Sequence, residues 1–339
     1  MIAISRSPWR VTQHIYVSKF FRPQPVRYTS ALVGRSGRLY GGGEPTNSTN
    51  DELAKLRPDI TVSVIKTLDS RKRFDKYLSI AEEIGKSDRL RLPIDFCDEE
   101  STIVLPWYQD TLFGFVESRK GKPHNNFKGI LRQVMEAVQE LHSKGWAHLD
   151  IKPQNIFVDP VISDDGQKTV TNVALGDFHN AAKIGNGSAN YYPGPLGQPV
   201  WRSIEMHTGQ FVCRASDIYA LGLLLIYTYG GRSRIFLDGM TLPQVEIICH
   251  HLIYFGPAIP KDLLAHVENE TWRKLLEIMS GVAVKQLEAR PECSFSCWGN
   301  EFGPTLKGLI SEMTNLNPLA RPTIEQVLAH KWWDVKDGV

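Results

Sequence analysis

Several features are scarce in this 339-residue chain, and each scarcity removes a class of function. The five cysteines (Cys97, Cys213, Cys249, Cys293 and Cys297) are odd in number and scattered. Such a set builds no disulfide framework. Cys293 and Cys297, the one close pair, have no histidine partners at zinc-ligand spacing. Reduced thiols in an intracellular protein, cytoplasmic or nuclear, fit this usage. An excess of one charge sign is missing too, because 39 Lys plus Arg face 37 Asp plus Glu and leave a net +2. That balance exerts no long-range attraction on nucleic acid or on an anionic membrane, so neither is expected as a partner. The longest apolar run, Ile218 to Tyr229, is too short to span a bilayer and reads as a buried core helix. No secretory signal, internal repeat or long low-complexity tract is present. Asp and Glu are absent from the first 43 residues, which do carry Arg6, Arg10, Lys19, Arg22, Arg27, Arg35 and Arg38. A mitochondrial transit peptide and a plain basic tail leading into a first strand both fit that composition.

What the chain does have is organised in two parts. Residues 1–26 read as an N-terminal extension, with Pro8, Pro23 and Pro25 opposing regular structure. Tyr28 to Val33 and Ile60 to Leu68 are rich in β-branched and aromatic residues, as strands are, and the Gly41 to Asn50 stretch between them has loop chemistry. Phe74, Tyr77, Leu78, Ala81 and Ile84 recur at helical spacing, and two short strands are expected around Leu90 to Ile94 and Thr102 to Leu105. From Phe127 the pattern turns helical, with Ile130, Leu131, Val134, Met135, Val138 and Leu141 on one stripe that stops at Lys144-Gly145. Helices then dominate. The expectation is an α+β fold with a small β-rich lobe over 27–108 and a large helical lobe over 109–339, with any ligand in the cleft between them.

The residues that carry chemistry follow the long helix. His148-Leu149-Asp150-Ile151-Lys152-Pro153-Gln154-Asn155 runs into the strand-like Ile156-Phe157-Val158, and Leu175-Gly176-Asp177-Phe178-His179 begins 25 residues after Asp150. In the first part, Val62-Ser63-Val64-Ile65-Lys66 ends a strand on a lysine. Together these segments resemble the protein kinase domain, whose catalytic loop, metal-binding Asp-Phe-Gly motif and Val-Ala-Ile-Lys strand they parallel. Gly197 to Glu205 resembles the end of an activation segment, Ser216 to Gly222 the core helix that follows it, and Asn317 to Pro322 the segment whose arginine pairs with the glutamate. The resemblance runs from about Thr61 to Trp333.

The resemblance implies transfer of the γ-phosphate of ATP to a protein hydroxyl, a reaction that needs positioning and charge compensation more than covalent chemistry. By carry-over, Asp150 is the catalytic base, Lys152 offsets charge on the transferred group, and Asn155 and Asp177 ligate Mg2+. Lys66 grips the α- and β-phosphates and pairs with a glutamate on the next helix, Glu82 being preferred over Glu83. Gly34 and Gly37 are the candidates for phosphate contacts through backbone amides. Asp217 braces the catalytic loop, and Glu205 pairs with Arg321. Lys152, two residues after Asp150, resembles serine/threonine kinases, so the expected partner is a protein substrate; its identity and the oligomeric state stay open.

The pattern is not followed everywhere. His179 stands where the family has glycine, Leu149 where it often has the arginine that binds an activation-loop phosphate, and Gln198 where serine/threonine kinases have threonine. No Gly-x-Gly-x-x-Gly precedes Lys66. These departures keep a second function open, a pseudokinase that binds nucleotide or partners as a scaffold. A small-molecule phosphotransferase shares His-x-Asp-x-x-x-x-Asn, but Lys152-Pro153 and the Asp217, Glu205 and Arg321 set point away from it.

Overall fold

The computed structural model describes residues 32–40, 44–45, 53–55, 63–118, 127–162, 168–185, 196–209, 211–230, 242–298 and 302–335. The expected extension over residues 1–26 lies outside them, as does most of the Gly41 to Asn50 stretch.

A short hairpin comes first, β1 (Leu32–Val33) against β2 (Leu39–Tyr40). Then follow β3 (Glu44–Pro45), β4 (Leu53–Lys55), β5 (Ser63–Thr67), helix α1 (Arg71–Ile84), β6 (Asp95–Cys97) and β7 (Thr102–Pro106). Strands β3 to β7 form one antiparallel sheet in the order β3-β4-β5-β7-β6. Helix α1 begins where the Ser70 side chain accepts the Arg73 N–H, and it stops at Gly85, whose φ of 75° a side chain would resist. Its buried face is Phe74, Tyr77, Ile80 and Ile84, spaced three and four apart so that they stack on one side.

The Leu90 to Ile94 segment is not the strand expected. Pro93 has no N–H to give to a ladder; the Ile94 N–H after it reaches the Val104 carbonyl of β7 at 2.8 Å, and the backbone before it bonds elsewhere. The Arg91 N–H donates to the Leu175 carbonyl at 2.8 Å, and the Leu175 N–H donates to that of Arg89 at 2.9 Å. This strap ties the sheet to the second half of the molecule, and the strand itself starts at Asp95.

The remainder is mostly helical. It comprises β8 (Asp110–Thr111), α2 (Leu112–Ser118), α3 (Phe127–Ser143), β9 (Trp146–Ala147), β10 (Ile156–Ile162), β11 (Lys168–Leu175) and β12 (Ala182–Lys183). Then come α4 (Ile204–His207), α5 (Arg214–Gly230), α6 (Gln244–Phe255), α7 (Lys261–Ala265), α8 (Glu270–Ala289), α9 (Gly303–Met313) and α10 (Ile324–Leu328). Helix α5 holds the longest apolar run and is buried on every side from Ser216 to Thr228. That is the pattern of a helix at the centre of a large core rather than at its surface. The core is continuous from Val64 and Phe74 under the sheet, through α3 and α5, to Trp332 near the end. Among the described residues no helix is long and apolar enough to cross a membrane.

Candidate active site

The loop after α3 is held from below by one carboxylate. Asp217, in the first turn of α5 and 1% exposed, accepts the backbone N–H groups of His148 at 2.7 Å and Leu149 at 2.8 Å, and its Oδ2 lies 2.9 Å from His142 Nε2. These bonds stabilise an unusual backbone, since Leu149 has φ 61° without being glycine. Leu149 is itself buried, packed with Ala147, Ala182, Ile184, Met206 and Val212. His148 is fully buried as well. Its Nε2 donates to the Gly176 carbonyl at 3.0 Å, so its Nδ1 is the acceptor for the Asp150 N–H at 3.3 Å, and the ring is neutral. Burial keeps it so, pushing its pKa below the ordinary histidine value.

Above this base, Asp150 is surrounded by donors. Lys152 Nζ reaches its Oδ2 at 2.9 Å, Asn155 Nδ2 the same oxygen at 3.2 Å, and the Gln198 backbone N–H its Oδ1 at 3.1 Å. Asn155 Nδ2 also donates to the Asp150 carbonyl at 2.8 Å, which locks the amide and turns its oxygen the other way. Gly197, with φ 73°, lets the chain pass close by: a Cβ there would lie 2.6 Å from the Leu149 carbonyl oxygen.

A second carboxylate enters from the β10–β11 hairpin. Ile156 and Leu175 are register partners, and the Gly176 N–H donates to the Asn155 carbonyl at 2.9 Å, so Asn155 and Asp177 leave the same end of the hairpin. Asp177 has φ 65°. Its Oδ1 collects Lys66 Nζ at 3.1 Å, the Tyr77 hydroxyl at 3.0 Å and His179 Nδ1 at 3.1 Å. Burial opposes its ionisation, yet the His179 hydrogen bond and the neighbouring Lys66 ammonium hold the carboxyl well below the usual range. Phe178 is buried between two rings, Tyr77 at 6.1 Å and His148 at 5.5 Å. The Asp177 carboxylate and the Asn155 amide oxygen suit Mg2+, which takes one or two protein oxygens and completes its shell with phosphates and water. Among the described residues no cluster of three or more His, Cys, Asp or Glu forms an all-protein metal cage.

Comparison with known proteins bears on this arrangement. The family described as "Protein kinase domain" matches residues 55–333. The chain belongs to that family. The CTD kinase subunit alpha of Schizosaccharomyces pombe is 21% identical over 94% of this chain and 50% of its own length. The serine/threonine-protein kinase US3 homolog of Varicella-zoster virus is 27% identical over 67% of this chain and 55% of its own. This chain therefore spans about half the length of these curated relatives. The crystal structure of the yeast RNA Pol II CTD kinase CTDK-1 complex contains a chain that superposes with TM-score 0.62 at 14% identity, covering 87% of this chain and 95% of that one, a likeness of fold.

Within this kinase domain the end of the activation segment is braced as the resemblance implied. Glu205 and Arg321 bond through two pairs of atoms, and Asp217 carries the loop backbone. Other expected residues are not brought together. Glu82 is exposed on the outer side of α1, and among the described residues Lys66 bonds the Asp177 carboxylate. Glu83, the runner-up, turns to Trp146 Nε1 at 3.0 Å and to Lys183, tying α1 to β9 and β12.

Gly34 and Gly37 lie in the β1–β2 turn, docked at the β6 edge of the sheet through the Arg35 N–H to the Phe96 carbonyl at 2.8 Å. β5, with Lys66, is two places away in the sheet order. The turn is engaged by Asp95, which accepts from the Ser36 hydroxyl, from the Ser36 N–H at 3.2 Å and from the Tyr40 hydroxyl at 2.8 Å. A Cβ on Gly34 would lie 2.0 Å from an Asp95 oxygen, so this glycine serves close packing. The hairpin next to β5 is β3–β4, and the chain between those strands lies outside the described residues. His179 has no positive φ; it sits in a single 3-10 turn, Phe178–Asn180, and bonds Asp177 instead. Sequence reasoning also missed Tyr77, counted only as part of an apolar stripe.

Proposed function

We propose that this kinase domain transfers the γ-phosphate of ATP to serine or threonine hydroxyls of protein substrates. The observation that supports it best is the setting of Asp150. A buried carboxylate oriented by Lys152, Asn155 and the Gln198 N–H stands at the same end of the β10–β11 hairpin as Asp177. In this reading the substrate hydroxyl docks at Asp150, which accepts its proton as the oxygen attacks the γ-phosphorus. The bond from that phosphorus to the bridging oxygen breaks, and ADP leaves with the electron pair. Lys152 then offsets charge on the group in flight, and Lys66 leaves Asp177 to bind the α- and β-phosphates. Mg2+, held by Asp177 and Asn155, would neutralise phosphate charge. In this reading a small lobe over 27–108 and a large lobe over 109–339 would meet at the cleft where Lys66 and Asp177 lie, and the nucleotide would bind there.

One observation favours a second reading, a nucleotide-binding scaffold. Lys66 is bonded to Asp177 at 3.1 Å, and neither Gly34 nor Gly37 lies beside them. Incubation with γ-labelled ATP, Mg2+ and a generic basic protein separates the two. Label recovered as phosphoserine or phosphothreonine supports the kinase, and a thermal shift with ATP and Mg2+ without transfer supports the scaffold.

A further inference from the structure

The family pairs its strand lysine with a carboxylate on the helix that follows. Here the inward position on that helix is a tyrosine. Tyr77 is 1% exposed, in the middle of the buried face of α1, and its hydroxyl lies 3.0 Å from Asp177 Oδ1. A buried phenol O–H requires an acceptor, and a phenol approaching a carboxylate serves as the donor. All three side-chain donors on Asp177 converge on Oδ1, from three different elements: Lys66 on β5, Tyr77 on α1 and His179 in the turn after Asp177. Oδ2 is thereby the oxygen left for a cation.

The geometry points to Tyr77 as a positioning residue for the metal-ligating carboxylate, a neutral hydroxyl that fixes Asp177 from α1 in place of the helix carboxylate the family uses to fix lysine. This rests on the nucleotide-binding reading above and adds to it. The exchange has a consequence in charge. A helix carboxylate would compete with Asp177 for Lys66, whereas a hydroxyl adds no charge and bonds the same oxygen as the lysine does. When Lys66 moves to phosphate, Tyr77 and His179 still hold Oδ1. Helix α1 is independently fixed at its C-terminal end by Glu83 on Trp146 at 3.0 Å, and beside Tyr77 Lys76 Nζ donates to the His179 carbonyl at 2.8 Å. The hydroxyl therefore approaches Asp177 from a helix that is already docked.

The test is Tyr77→Phe, which keeps the ring against Phe178 and deletes only the hydroxyl. Affinities for ATP with Mg2+ and for ATP in EDTA are measured by calorimetry on parent and variant. The expected result is a roughly fivefold weakening of ATP binding in Mg2+, the size of one lost hydrogen bond, with no change in EDTA. Equal affinities for parent and variant in Mg2+ would overturn the assignment. So would equal weakening in both conditions, which marks a general loosening of the cleft. A parent that binds no ATP with Mg2+ overturns the nucleotide reading and this inference with it, and is distinguished by occurring before any substitution.

Discussion

Glu205 and Arg321 meet with no solvent at either side chain, Nη1 to Oε1 at 2.6 Å and Nη2 to Oε2 at 2.8 Å. They join α4 to the turn before α10 across 116 residues of chain. The Ser216 hydroxyl adds a bond to Glu205 at 2.9 Å, and Arg321 also donates to the carbonyls of Asn315 and Ala215. Removing one partner leaves an uncompensated buried charge, so Arg321→Met is expected to lower stability by about 3–5 kcal/mol. Urea unfolding measures it. The double variant Glu205→Gln, Arg321→Met should be more stable than Arg321→Met alone; the reverse order would contradict the pairing. Although burial opposes charging Glu205, Arg321 holds its pKa below the ordinary 4.5. The unfolded chain takes up the proton first, so this contribution is present above pH 4.5 and is lost as pH falls through the folded value.

Two buried histidines give a second pH dependence. His207 and His251, each 1% exposed and with rings 6.0 Å apart, are held neutral by burial, with His251 lowered to about 3 and His207 well below its ordinary value. Below pH 6.5 the unfolded chain protonates them and the folded one does not. Each group then removes about 1.4 kcal/mol per pH unit. Urea midpoints should fall steadily from pH 7 to pH 5, and His251→Gln should make that decline shallower. A flat profile in the parent would contradict this.

Leu149 bears on regulation. The position where relatives often carry a phosphate-binding arginine is 2% exposed and lies in an apolar cluster with Ile184, Met206 and Val212. No cation at 149 is there to order a phosphorylated loop. Phosphatase treatment should leave activity within about twofold, no more than the loss of an exposed charge contact. A loss of tenfold or more would show that another group reads a phosphate.

Lys66 and Asp177 should separate nucleotide binding from folding. Lys66→Ala is expected to weaken ATP binding in Mg2+ by about tenfold or more, the range for a hydrogen bond to a charged group. Asp177→Asn should abolish the difference between Mg2+ and EDTA in a thermal-shift assay with ATP. A variant Asp177→Asn that still responds to Mg2+ like the parent would remove Asp177 from the metal site.

The fold was legible because its signals are local. The stripes of α1 and α3, the run that becomes α5 and the contiguous loop from His148 to Asn155 each lie within one element, and the bracing by Asp217 and Glu205 followed from the resemblance. What was not legible depended on helix phase and on distant strand pairing. Once Phe74, Tyr77, Ile80 and Ile84 face inward, 82 and 83 cannot, and the glutamates preferred as lysine partners fall outside. Tyr77 was hidden by its own dual character, an apolar ring that fits the stripe and a hydroxyl that acts at its end. Gly34 and Gly37 matched by nearness in sequence to Lys66, but the β1–β2 turn docks on Phe96, some 60 residues later, a contact set by sheet order.

The central claim is that Asp150 acts as the base in phosphoryl transfer, and one comparison tests it most directly. Asp150→Asn retains the size of the side chain and an oxygen that can accept from Lys152, so nucleotide affinity should match the parent. Phosphate transfer to protein should fall by about 100-fold or more, the contribution of a positioned base. Equal transfer by parent and variant would contradict the account.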